Sequence, residues 1–116
     1  MQVDATILEV GAGGAYSATN VVPKPIVTAI TALGMDHIDI LGATIRDIAW
    51  HKAGIFQVGT TIPYLLDDTR SLLQEGAPAL TVEQPEEAMS VLREQAVERK
   101  VAYWDISLRA LKLTQE

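Results

Sequence analysis

Apolar and polar positions change their period several times along this chain, and each change predicts an element. Residues 3–10 are mostly apolar, with β-branched Val3, Thr6, Ile7 and Val10, and the run stops at Gly11, Gly13 and Gly14. Such a run predicts a buried strand leading into a tight loop. Residues 25–33 form a second run of the same kind, entered through Pro23 and Pro25 and closed by Gly34, and predict a second strand. At Thr44 the spacing becomes helical. Ile45, Ile48, Ala49 and Trp50 recur on one face, Thr44 and Asp47 have the form of a capping box, and Gly54 stands near the end, so residues 44–54 predict a helix.

Residues 78–82 predict a short strand. Glu83-Gln84-Pro85-Glu86-Glu87 then loads acid and proline into a first helical turn, where the helix dipole favours them. Ala88, Val91, Leu92, Ala96 and Val97 continue an apolar stripe as far as Arg99 and Lys100, the strongest helical signal in the chain. Residues 101–104 predict a last strand and residues 108–113 a weak final helix. Strands alternating with helices imply an α/β layer with parallel strands. Continuous apolar strands are normally covered on both faces and paired on both edges, and few strands are present here to flank them. The chain therefore reads as a partial parallel-sheet domain, truncated at both ends.

Composition narrows the class. At 116 residues there is room for one domain. With 48% hydrophobic and 21% charged residues the chain is too apolar for disorder and too interrupted by charge for a membrane span. Nine Lys+Arg against fifteen Asp+Glu give a net charge of −6, which argues against nucleic acid as a partner. The absence of Cys excludes disulfides, thiolate metal sites and a cysteine nucleophile. Residues 1–4 carry no secretory signature, so an intracellular location is the default.

The candidate chemistry lies near the predicted strand ends. Gly11-Ala12-Gly13-Gly14 fails the dinucleotide fingerprint, because its third glycine would fall at Tyr16, and no Gly-Lys pair exists to form a P-loop. Read alone, the glycines are a strand-to-loop turn. Glu9 ends the first apolar run, where a buried carboxylate needs a cation, a metal or solvent. His37, beyond the second predicted strand, could converge on the same crevice, and the two donors suit a hard divalent ion such as Mg²⁺ as well as ordinary loop hydrogen bonds. Lys52 is flanked by Trp50, Ala53, Ile55 and Phe56. An amine among apolar groups is less favoured in its charged form, and the neutral form reacts with carbon dioxide to give a carbamate. The alternative is a lysine that reaches solvent or pairs with Asp47. His51 is expected to face water.

Taken in order, several segments resemble the central ATPase domain of folylpolyglutamate synthases, of the Mur ligase superfamily. They are residues 7–20 (Ile-Leu-Glu-Val-Gly-Ala-Gly-Gly-Ala-Tyr-Ser-Ala-Thr-Asn), 33–37 (Leu-Gly-Met-Asp-His), 41–44, 48–56 (Ile-Ala-Trp-His-Lys-Ala-Gly-Ile-Phe), 76–79 and 84–88. The resemblance implies a P-loop-like α/β fold of the Mur-ligase type. It also implies an ATP-dependent ligation in which the γ-carboxyl of a folate is phosphorylated by MgATP and the acyl phosphate is attacked by the amino group of glutamate. By the family pattern, Glu9 and His37 look like Mg²⁺ ligands and Lys52 like a carbamylated lysine that helps hold a second metal ion, with His37 and Lys52 serving the chemistry. Gly11, Gly13, Gly14 and Asn20 look like nucleotide-facing residues. Dihydrofolate synthase, a bifunctional relative, and an inactive remnant that binds Mg²⁺ or a partner chain are the alternatives. The resemblance leaves cytosol and mitochondrion both open.

The chain departs from that pattern in three ways. The family's P-loop and smaller C-terminal domain are not in these 116 residues, so the chain is expected to be incomplete as a catalyst. Ser17 stands where the family usually has Asp. Residues 58–74, seventeen in number, separate segments that family members join almost directly. Two origins fit that insertion. One is a loop insertion with a weak helix over 65–74. The other is a retained in-frame intron, since valine codons begin with GT and one glutamine codon is CAG, matching Val58 and Gln74 at its ends.

Overall fold

The computed structural model describes residues 2–22, 25–56 and 76–106. Three parallel strands form one sheet in the order β1 (Thr28–Ile30), β2 (Gly76–Thr81), β3 (Val101–Asp105). Thr28, Ala29 and Ile30 pair with Ala79, Leu80 and Thr81. The β2–β3 register shifts between Gly76 and Ala79, around Pro78, whose nitrogen has no proton to give a ladder. The expected α/β class with parallel strands is the one observed.

Helices α1 (Ile38–Leu41) and α2 (Ile45–Ala53) follow β1, and α3 (Glu86–Glu98) links β2 to β3. The cap read at Thr44 is formed in full. Its hydroxyl accepts from the Asp47 N–H at 3.1 Å, and Asp47 Oδ2 accepts in return from the Thr44 N–H at 3.2 Å and from its hydroxyl at 2.7 Å. At α3, Glu86 and Glu87 occupy the first turn beside the positive end of the helix dipole. The core joins Ala49, Ala53 and Phe56 from α2 and its end to Ala88, Val91, Leu92 and Ala96 of α3, with Ile30, Ala79 and Val101 from the sheet. Alanines at these helix positions leave room for close approach.

Residues 3–10 form no strand. Ile7 is 94% exposed, and Val3 and Leu8 are exposed as well. An apolar run becomes a strand only where a neighbouring edge takes up its N–H and C=O groups, and among the described residues β1 pairs with β2 alone. The second run also shortens to three residues, with Thr28 and Ile30 buried and Ala29 exposed. The predicted final helix at 108–113, the insertion at 58–74 and its helix at 65–74 lie outside the described residues. Among the described residues no helix is long and apolar enough to cross a membrane.

Candidate functional site

The glycine turn is built by its own hydrogen bonds. Gly13 and Gly14 have φ of 78° and 155°, and the Gly14 carbonyl accepts from the Ser17 N–H at 3.1 Å and from Asn20 Nδ2 at 2.7 Å. The same Asn20 amide donates to the Ala15 carbonyl at 3.3 Å. Asn20, read by resemblance as nucleotide-facing, is thus a clamp on the turn. Ser17 accepts from the Thr19 N–H at 3.2 Å and caps the short 3-10 helix Ala18–Val21. A serine in place of the family's usual aspartate keeps that local role, because either side chain offers the oxygen a cap requires.

The turn docks on the end of α2. A Cβ on Gly14 would stand 2.5 Å from the His51 carbonyl oxygen and 3.2 Å from Lys52 Cα, so only glycine fits there. On Gly13 it would meet the Leu41 side chain at 3.0 Å, so the end of α1 also touches the turn. Ala15 in turn packs on Gly54. Two segments that the sequence flagged separately, the glycines and the Lys52 helix, are therefore in direct contact.

Lys52 lies half-buried in the last turn of α2. Among the described residues Lys52 forms no ion pair with Asp47, whose Oδ2 bonds Thr44. His51 does not simply face water. It is half-buried, edge-to-face with Tyr16 at 6.0 Å and with Trp50 at 5.1 Å between ring centroids.

His37 heads α1 in the left-handed region, φ 50° and ψ 37°. Its N–H donates to Asp36 Oδ1 at 2.8 Å, its carbonyl accepts from Ile40 and Leu41, and its Nε2 stands 3.7 Å from Asp36 Oδ2. A non-glycine residue in this region is uncommon, and histidine, asparagine and aspartate are the side chains enriched there. Glu9 is exposed and does not end a strand, so the expected crevice at a strand's carboxyl end is replaced by a contact between turn and helix end. Among the described residues no three His, Cys, Asp or Glu side chains are grouped to hold a metal ion.

Gln84, which the sequence places only at a helix start and in the resembling segment 84–88, has a further role in the fold. Gln84 is 8% exposed, and its side chain holds the stretch that leads to His37. Its Oε1 accepts from the Leu33 N–H at 2.9 Å, and its Nε2 donates to the Thr31 carbonyl at 2.8 Å and to Thr81 Oγ1 at 3.2 Å.

No protein-family model matches the chain. Among curated proteins, a probable folylpolyglutamate synthase of Schizosaccharomyces pombe is 47% identical over 100 residues, 86% of this chain and 16% of that protein. A Bos taurus protein named as mitochondrial folylpolyglutamate synthase is 45% identical over 95 residues, covering 82% of this chain and 13% of that protein. Among solved structures, a folylpolyglutamate synthase complex with AMPPCP and folate superposes with a TM-score of 0.66 at 30% identity, over 84% of this chain and 20% of the other. Mycobacterium tuberculosis folylpolyglutamate synthase with ADP gives 0.60 at 33% identity, over 83% and 18%. The chain thus spans less than a fifth of the curated relatives named. By sequence and by fold, it belongs with the folylpolyglutamate synthases, enzymes of the Mur-ligase type, as the counterpart of one stretch of those longer proteins.

Proposed function

We propose that this chain supplies the metal- and nucleotide-facing part of a folylpolyglutamate synthase. The reaction is the ATP-dependent addition of glutamate to the γ-carboxyl of tetrahydrofolate through an acyl phosphate. The observation that carries the proposal is the seating of Gly14 on the Lys52 turn of α2, with α1, headed by His37, touching the same turn through Leu41. Relatives with the same fold bind AMPPCP with folate, and ADP, according to their names.

The donors suit magnesium chemically. Mg²⁺ keeps several waters and takes one or two protein ligands together with phosphate oxygens, so it needs no cage of three side chains. Glu9 and His37 would hold it, and the ion would neutralise phosphate charge during transfer. Lys52 contributes once its neutral amine adds carbon dioxide and releases one proton, which turns a cation into an anionic oxygen donor. The Gly14 contact fixes the backbone from which that side chain extends. The compartment is cytosolic or mitochondrial, and the name of the Bos taurus relative supports the second.

Calorimetric titration with MgATP tests the proposal. Saturable binding in about the micromolar to millimolar range is expected, weakened by His37→Ala and by Glu9→Gln. A chain that melts cooperatively and yet takes up no MgATP contradicts it.

A further inference from the structure

The strand pairing of β1 ends at Ile30, whose carbonyl accepts the Val82 N–H at 3.3 Å, and the next residues must reach His37 without a sheet neighbour among the described residues. Gln84 supplies one. An amide side chain offers one acceptor and a two-proton donor, the same pair of groups as a peptide unit. Here the acceptor takes the Leu33 N–H and the donor serves the Thr31 carbonyl, the two outward groups that a neighbouring strand would satisfy. The orientation of the amide is set by its partners, because Leu33 can only donate and the Thr31 carbonyl can only accept. Thr81 Oγ1 takes the second amide proton and itself donates to the Val82 carbonyl at 2.9 Å, which ties the arrangement to the end of β2. With 8% of its surface exposed, Gln84 makes these bonds largely out of water, where an unmade hydrogen bond is costly.

We propose that Gln84 is a positioning residue for His37. Its amide acts as a surrogate strand that locks Thr31–Leu33 and so fixes the start of the short run to the left-handed histidine. Asp36, through its bond to the His37 N–H, fixes the other end. The inference rests on the proposed role of His37 at the metal. It adds a residue from just beyond the end of the neighbouring strand β2, more than fifty positions along the chain from the loop it holds.

The test compares Gln84→Leu and Gln84→Glu with a core control, Val91→Ala, all at a temperature where each is folded by circular dichroism. Amide hydrogen exchange and the His37 backbone coupling constant are read without metal, and Mn²⁺ affinity is then titrated. Both Gln84 variants are expected to speed exchange at Leu33 or shift the His37 coupling, and to weaken Mn²⁺ binding by about tenfold, the scale of lost support to a ligand. Val91→Ala should leave both readouts unchanged. Unaltered exchange and coupling in both Gln84 variants would overturn the proposal, as would an equal effect in the control. If the unsubstituted chain takes up no Mn²⁺, the metal reading of His37 fails instead, and the exchange data still decide whether Gln84 sets the loop.

Discussion

The Gly14 α-carbon and the His51 carbonyl are so close that a Cβ added at Gly14 would stand 2.5 Å from the oxygen. Along the chain the 3-10 helix Ala18–Val21, β1, α1 and most of α2 lie between the two, yet their contact seats the glycine turn on the helix end that carries Lys52. Glycine at this position serves close packing of two backbones in addition to any approach by a ligand.

Gly14→Ala is therefore expected to destabilise the chain by about 3 kcal/mol, through the clash and through the positive φ of 155°. Urea unfolding measures the loss. A stability equal to that of the unsubstituted chain would show that the turn can leave α2 at no cost.

Thr44→Ala removes the hydroxyl half of the capping box on α2, its bonds to the Asp47 N–H and Oδ2, while the backbone N–H of residue 44 can still donate to Asp47, and should cost about 1 to 2 kcal/mol in the same assay. Thr44→Ser retains the hydroxyl and should recover most of it. Equal losses for the two substitutions would assign the effect to the threonine methyl group.

Tyr103 gives the fold an alkaline limit. Burial, followed by the nearby charge of Asp105, raises its phenol above the ordinary value of 10.0, and its hydroxyl lies against Met89 Sδ at 3.5 Å. Above pH 10 the unfolded chain gives up this proton first, so the folded state binds more protons and stability falls with rising pH. The contribution is whole below about pH 10 and is lost as pH passes through the raised value. Tyr103→Phe should flatten that alkaline decline in melting temperature. An identical decline in the variant would place its origin elsewhere.

Local signals were the legible ones. Thr44 and Asp47 are three residues apart, and the α2 cap they form is the one the sequence spells out. The acidic first turn and apolar stripe of α3, and the strands on either side of it, are also where the pattern puts them. The apolar run at residues 3–10 misled because β propensity does not supply a partner edge. Asp47 is one possible mate for Lys52 by spacing, but the fold pairs it with Thr44, and among the described residues Asp47 and Lys52 form no ion pair. Gln84 stands in one of the segments that carry the family resemblance, but its bonding role is not legible there, because its partners are 51 and 53 residues away and a glutamine ahead of a helix has no pattern that reveals such pairing. At the candidate site the glycines, His37 and Lys52 could be named from the sequence, whereas the docking of turn on helix end required the fold.

Paramagnetic broadening by Mn²⁺ in side-chain-resolved NMR spectra tests most directly whether one divalent ion gathers Glu9, His37 and Lys52. At low Mn²⁺ with nucleotide present, signals of these three residues and of Gly13 and Gly14 should fade first and together, and added Mg²⁺ should restore them. Fading first along the acidic face of α3, at Glu86, Glu87 and Glu94, with the other set untouched, would contradict the account.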